Sequence, residues 1–315
     1  LSSIFPSFLN RSGKTPILPR RLATGTGMGK MDQAIIDLYD EYTHAPLERR
    51  VFLKRLSALA GGTAAASALL PLLENNYAEA AMVMEDDPRL DIEQVTYPAG
   101  EQQISGYLAK PKGGSNLGSV IVIHENRGLN PHIQDVARRL GAEGFLALAP
   151  DMLSPIGGTP ADEGKAREMI GTLNREETID GLVAAVPYLM SRADASGRVG
   201  CVGFCWGGAM ANNLAVHSPG LTAAVAYYGR QPTAEDTAKI KAKLMLHYAG
   251  LDNRVNAGIA DFETALKANG VDYQVFVYDG ANHAFNNDTN AARYNADAAK
   301  QSWGRTVAFL KETLG

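Results

Sequence analysis

The sequence predicts an α/β fold, a mostly parallel, doubly wound sheet with helices on both faces, and three observations carry that prediction. From residue 90 onward, strand-like and helix-like runs alternate, the pattern of a sheet whose crossovers are helices. The run Ser119-Val120-Ile121-Val122-Ile123-His124 is nearly all apolar and β-branched, as a strand covered on both faces requires. Arg198-Val199-Gly200-Cys201-Val202 leads through Gly203-Phe204-Cys205-Trp206-Gly207-Gly208 into an apolar helical stretch at 209–216. A strand, a glycine-flanked turn and a helix in that order hold the central side chain above the sheet on a strained corner.

In chain order, residues 94–98 and 104–110 read as the strands of a hairpin around Ala99-Gly100-Glu101. The buried strand at 119–124 follows, then a helix at 131–144 with Pro131 in its first turn and Gly144 at its end. Residues 145–149 make the next strand, and 161–193 hold two helices. After 199–202 and its turn come strands at 222–228, 243–248 and 273–278, with helices between most of them. A helix within 291–314 closes the chain. No repeat or linker interrupts this part, so residues 81–315 are read as one catalytic domain.

Residues 1–80 differ in kind. The first 30 are rich in Ser, Pro, Gly and Arg, and read as disordered or as sequence upstream of a start near Met28 or Met31. Residues 31–42 suit a short acidic amphipathic helix. Next come Arg49-Arg50-Val51-Phe52-Leu53-Lys54, an apolar Ala- and Gly-rich run at 56–73, and the A-x-A site Ala78-Glu79-Ala80. In that order these parts resemble a twin-arginine signal peptide, which implies export to the periplasm and cleavage after Ala80. The competing reading is an amphipathic helix packed on the domain, in a cytoplasmic protein. Gly61-Gly62 and Pro71 interrupt the apolar run, so no stable membrane anchor is expected.

Composition is that of an ordinary globular domain, with 45% hydrophobic and 20% charged residues and a net charge of −4. That balance, without a basic run, argues against a nucleic-acid partner. Two cysteines make no disulfide framework, and Cys201 and Cys205 lie too far apart along a strand to bond each other. No His, Cys and carboxylate group has zinc-ligand spacing, so no metal is expected, nor any other cofactor.

Cys205 needs partners if it is a nucleophile. Asp252 closes Leu246-His247-Tyr248-Ala249-Gly250-Leu251-Asp252 at a strand's carboxyl end, and His283 follows the last strand in Asp279-Gly280-Ala281-Asn282-His283-Ala284-Phe285. Nucleophile, acid, histidine is the chain order of the α/β-hydrolase fold, and each residue falls where sites in parallel sheets gather. His283 would carry the proton and Asp252 would fix its tautomer. The oxyanion hole would use the backbone N–H of Trp206 and one from the loop after His124. Cys201 reads as core packing, Asp151 and Asp194 as turn residues, and His44, His132 and His217 as surface or structural histidines.

Residues 90–315 resemble the dienelactone hydrolases, the cysteine branch of the α/β-hydrolase fold. The matching pieces are the His124–Asn130 segment, Ala149-Pro150-Asp151, the Cys205 turn, Tyr227-Tyr228-Gly229, Gly250-Leu251-Asp252 and His283-Ala284-Phe285, all in order. The resemblance implies that Glu125 contacts the resting thiol and helps deprotonate it, and that Asn126 supplies the second oxyanion N–H. It implies hydrolysis of small esters or lactones through a cysteinyl acyl intermediate, without a cofactor. A thioesterase, a promiscuous phosphotriesterase on the same triad, and a non-catalytic exported binding protein are the alternatives. Members of this family clamp an anionic lactone with two arginines, and this chain has Pro155 and Asn287 at those places. Arg127, Arg230 and Arg254 are the candidate replacements, with Tyr228 as a candidate wall of the substrate pocket.

Overall fold

The computed structural model describes residues 31–45 and 47–315. The expected disorder or early start over residues 1–30 lies outside that range. Four N-terminal helices come first: α1 (Gln33–His44), α2 (Arg49–Ala60), α3 (Thr63–Leu73) and the single turn α4 (Tyr77–Ala80). The sheet strands are β1 (Leu90–Ala99), β2 (Gln102–Pro111), β3 (Leu117–Ile123), β4 (Leu146–Pro150), β5 (Ala195–Phe204), β6 (Ala223–Tyr227), β7 (Lys243–Ala249) and β8 (Tyr273–Tyr278). Between them run α5 (Pro131–Ala142), α6 (Glu163–Thr172), α7 (Arg175–Met190), α8 (Trp206–His217), α9 (Ala234–Thr237), α10 (Asn253–Asn256) and α11 (Ile259–Ala268), and α12 (Ala296–Leu314) follows β8.

The sheet order is β1-β2-β4-β3-β5-β6-β7-β8. β1, β2 and β4 pair antiparallel and the remaining neighbours pair parallel, as the hairpin and the helical crossovers predict. The chain goes from β3 to β4 on one side, then returns past β3 to β5 on the other. The loops leaving β3 and β5 therefore diverge, and the crevice between them is the switch point where α/β sheets bind ligands.

Strand alternation sorts the core onto two faces. Ile121, Ile123, Val199 and Cys201 point to the side packed by α7, α8 and α11. Val120, Val122, Val202 and Phe204 point to the side packed by α5 and α12. These strand residues are at most 1% exposed, so each contributes about 1.5–3 kcal/mol of apolar burial where the side chain is large. Cys201 is core packing, as read from sequence, and burial raises its thiol far above the ordinary range.

The apolar run at 56–73 is broken where Gly61 and Gly62 both adopt positive φ, and α2 and α3 meet at a bend of 111°. Among the described residues no single helix is long and apolar enough to cross a membrane, although that bent pair meets the test together. Helices α1 to α3 share a small core of Leu38, Tyr39, Tyr42, Phe52, Leu56 and Leu73. The segment is also bonded to the catalytic part. Asn126 Nδ2 donates to the Thr43 carbonyl at 2.8 Å, Arg127 to Tyr39 Oη at 3.1 Å, and Asn290 Nδ2 to the Leu73 carbonyl at 2.5 Å.

Candidate active site

Cys205 sits between β5 and α8 with φ 57° and ψ −112°, the strained corner expected of the glycine-flanked turn. Its N–H donates to the Tyr227 carbonyl at 3.0 Å, which pins the corner to β6. The glycines are required by contact. A Cβ at Gly203 would lie 1.9 Å from the Gly207 carbonyl oxygen, so no side chain fits there. Of four non-glycine residues with positive φ among those described, Cys205, Tyr228 and Ala284 are all at this site. Clustered strain of this kind, about 1–3 kcal/mol per residue, persists only where the surrounding structure enforces it.

His283 and Asp252 meet as the sequence reading expects. His283 Nδ1 lies 2.5 Å from Asp252 Oδ2, while Asp252 Oδ1 accepts from Val255 N at 3.1 Å and caps α10. One carboxylate thus fixes both the imidazole and its own loop. The Nε2 of His283 is buried without a hydrogen-bond partner among the described residues. The Tyr228 ring stands 4.9 Å from the His283 ring, and the Tyr228 hydroxyl is likewise buried and unpartnered.

The loop after β3 is held on the other side. His124 stacks on Trp206 with ring centroids 5.2 Å apart, and its Nε2 accepts from Met152 N at 3.2 Å. That contact ties the Asn126 loop to the start of α8, where Trp206 stands. Glu125 is buried and its Oε2 accepts from Asn287 Nδ2 at 2.8 Å. Asn287, at one of the two vacant arginine places, therefore serves Glu125. Pro155, at the other, forms part of a short 3₁₀ turn.

The group in hydrogen-bond contact with Cys205 is one the sequence reading set aside. His44, taken as a surface or structural histidine, brings its Nε2 to 3.1 Å from Cys205 Sγ. Its Nδ1 lies 2.9 Å from the Asp40 carbonyl oxygen and 3.1 Å from the Asp40 carboxylate. The reading failed because His44 lies 161 residues from Cys205, at the end of a helix assigned to a leader. Asp40 and His44, four apart on α1, were the available signal, since that spacing puts both on one helix face. His132 and His217 fit the earlier reading, His132 beside Asp288 at 3.3 Å and His217 exposed.

The donor atoms of His44, Cys205 and His283 all lie within 4.8 Å of one another. No other group of His, Cys, Asp and Glu converges in this way among the described residues. Burial alone would raise the Cys205 thiol, but the positive charges of His44 and then His283 bring it down to about 5. Burial works against a charged His283, yet the Cys205 thiolate and the hydrogen bond with Asp252 push it up to about 10. For Asp40, burial is outweighed by the hydrogen bond with His44 and the charges of His283, His44 and Arg254, which hold its carboxyl well below the usual range. The site favours a thiolate between two imidazoles, each backed by a carboxylate.

The candidate substrate arginines are differently placed. Arg127 is buried, with Nε 2.7 Å from Glu163 Oε2 and a bond to Tyr39, so it anchors the N-terminal segment. Arg230 is exposed, and its carbonyl accepts from Asn212. Arg254 reaches both His283 Nδ1, at 3.5 Å, and Asp40 Oδ2, at 3.6 Å. A cavity of about 260 Å³ opens there, lined by Asp40, Asp252, Arg254, His283 and Arg293 among others.

Comparison with known proteins agrees with this architecture. The dienelactone hydrolase family model matches residues 104–314, and a YqhI-like family model matches residues 29–61. A putative carboxymethylenebutenolidase of Saccharolobus solfataricus is 31% identical over 256 residues, covering 69% of this chain and 97% of the relative. The crystal structure of a putative dienelactone hydrolase from Klebsiella pneumoniae superposes with TM-score 0.64 at 27% identity, covering 71% of this chain and 99% of that one. A dienelactone hydrolase-like promiscuous phosphotriesterase from metagenomic libraries superposes with TM-score 0.64 at 26% identity, covering 72% and 100%.

Proposed function

Because the chain belongs to the dienelactone hydrolase family and is a hydrolase acting on ester bonds, we propose that it hydrolyses small neutral esters or lactones through a Cys205 acyl intermediate. The observation that carries this reading is the convergence of Cys205 and His283, backed by Asp252, at the carboxyl ends of β5, β7 and β8. The Cys205 thiolate attacks the carbonyl carbon, and the carbonyl electron pair moves onto oxygen, where the backbone N–H groups of Trp206 and Asn126 receive it. As the tetrahedral adduct collapses, the bond to the leaving oxygen breaks and His283 Nε2–H protonates it. Neutral His283 then takes a proton from water. The resulting hydroxide attacks the thioester, and the thiolate departs to restore the starting pair. Asp252 holds the imidazole tautomer throughout.

The charge balance beside His283 supports a neutral substrate. Asp40 sits against Arg254, so the arginine nearest His283 already has its counterion. Turnover of p-nitrophenyl acetate and of a dienelactone by wild type and Cys205→Ala tests the mechanism. Full activity in the alanine variant would sink it. The likeness to the metagenomic promiscuous phosphotriesterase favours one second reading, phosphotriester cleavage by the same thiolate, and paraoxon belongs in the substrate panel.

Export is part of the same proposal. The side chains of Arg49 and Arg50, 63% and 89% exposed at the start of α2, are open to a twin-arginine receptor. Residues 31–80 stay attached in this reading, because Arg127 and Asn290 of the catalytic part take partners from them. N-terminal sequencing of the protein from its native host tests both points. A chain beginning after Ala80 would refute retention, and a wholly cytoplasmic chain would refute export.

A further inference from the structure

We propose that His44 is a catalytic residue: carried in by α1, it donates a hydrogen bond to the Cys205 thiolate and keeps the resting nucleophile charged. This deepens the hydrolase reading and rests on Cys205 being its nucleophile. The resemblance gives the resting thiol to a glutamate. Here Glu125 accepts from Asn287, and the atom on Sγ is His44 Nε2 at 3.1 Å. The two imidazole rings meet edge to face, 4.5 Å apart, over the sulfur.

The arrangement reads as a second dyad packed directly against the first. His44 Nδ1–H donates to the Asp40 carbonyl at 2.9 Å, so Nε2 carries an N–H toward sulfur only in the imidazolium, whose charge the Asp40 carboxylate offsets. The catalytic part receives α1 at fixed points close by. Asn126, a candidate oxyanion residue, bonds the Thr43 carbonyl immediately before His44. Asn282, immediately before His283, accepts from Gln33 Nε2 at 2.6 Å. The buried guanidinium of Arg293 lies 5.0 Å from the Tyr39 ring centre. Segment and domain are thus registered through the neighbours of both His44 and His283.

Titratable and charged groups surround the cluster from several elements: His44 and Asp40 from α1, His283 from the loop after β8, Asp252 from the loop after β7, Arg254 from α10, Glu125 from the loop after β3, Tyr228 from the end of β6 and Arg293 from the segment before α12. His44 and His283 favour the thiolate, and burial opposes it. Removing one cation in direct contact leaves burial opposed by the other alone. Each residue also has a role without the other: His283 must give and take a proton, whereas His44 only has to keep one.

Thiolate absorbance of the full chain, measured against pH with Cys205→Ser as blank, tests the proposal. In His44→Ala the thiolate midpoint should rise by about one pH unit or more, the effect of losing an opposite charge at contact distance. kcat/KM just above the wild-type midpoint should fall about tenfold. His44→Gln, which keeps an N–H donor without charge, should also raise the midpoint, but by less, and serves if the alanine variant fails to fold. An unchanged midpoint in a folded variant overturns the proposal. So does a rise in kcat/KM, which would make His44 a plug over the nucleophile. Wild-type turnover by Cys205→Ala would instead overturn the nucleophile reading, while the midpoints would still report on His44.

Discussion

Replacing Gly207 with alanine tests whether the corner sets the oxyanion geometry by backbone contact. A Cβ there would lie 2.3 Å from the Ile123 carbonyl oxygen and 2.4 Å from that of His124. Ordinary van der Waals contact starts near 3.4 Å, so either the end of β3 or the start of α8 must move by about an ångström. Those two carbonyls lead directly into Glu125 and Asn126, and α8 begins with Trp206. The movement therefore separates the two N–H donors proposed for the oxyanion. A misplacement of that size costs about 10²-fold in rate. The overpacking costs about 1–3 kcal/mol, or roughly 2–4 °C in Tm per kcal/mol for a domain this size. The assay is kcat/KM on p-nitrophenyl acetate beside a thermal melt. Gly304→Ala is the control, because a Cβ on that face of α12 meets nothing within 4 Å and should stabilise by about 0.5–1 kcal/mol. Wild-type kcat/KM in Gly207→Ala, with or without a lower Tm, would refute the coupling.

Three further outcomes are expected. kcat/KM should rise with pH through about 5, as the Cys205 thiol ionises, and fall through about 10, as His283 loses the proton its leaving group needs. A profile with a single rising limb near neutrality would instead mean a neutral resting thiol. Asp252→Asn should lower kcat about 10²–10⁴-fold while leaving the melt nearly unchanged, since an amide oxygen can still cap α10; a loss seen only in KM would count against the assigned role. A chain starting at residue 81 loses the bonds from Asn126, Arg127 and Asn290 to the N-terminal segment and that from Asn76 N to the Thr289 carbonyl. At about 1 kcal/mol each, these four alone should lower its Tm by roughly 10 °C, with the lost His44–Cys205 and Gln33–Asn282 bonds adding to the drop, and an unaltered melt would show that the segment is only loosely held.

The central sheet was legible because its strands obey local rules. The β-branched run at β3 and the glycine turn at Cys205 announce themselves in a few residues. Asp252 and His283 were legible for the same reason, each standing just past a strand whose position could be read. Strand ends are less so: 222–228 reads as one strand, yet Tyr228 turns out of it at φ 38° while its N–H still bonds the His247 carbonyl at 2.7 Å. Glu125's partner and the burial of Arg127 were not legible, since both depend on long-range packing. His44 was missed for a further reason. Its segment has the arginine pair, apolar run and small residues of a signal, and those features carry no information about what the preceding helix touches.

The N-terminal segment also bears on the proposed preference for a neutral substrate. An anionic substrate needs a cation that is not already paired. Arg127 is paired with Glu163, and Arg254 with Asp40, which also lies 3.9 Å from Arg293. Asp40 thus brings negative charge beside Arg254 and His283, and it arrives on the same helix face as His44. A substrate carboxylate there would compete with the Asp40 carboxylate, already ion-paired with Arg254, and meet repulsion from Asp252 behind His283. A neutral ester meets neither obstacle, and its reacting carbonyl still finds a thiolate. If the proposed roles hold, the helix that charges the nucleophile also selects against charge in the substrate, so in a panel of neutral and anionic p-nitrophenyl esters His44→Ala should alter rate without broadening specificity, whereas Asp40→Asn should admit anionic esters.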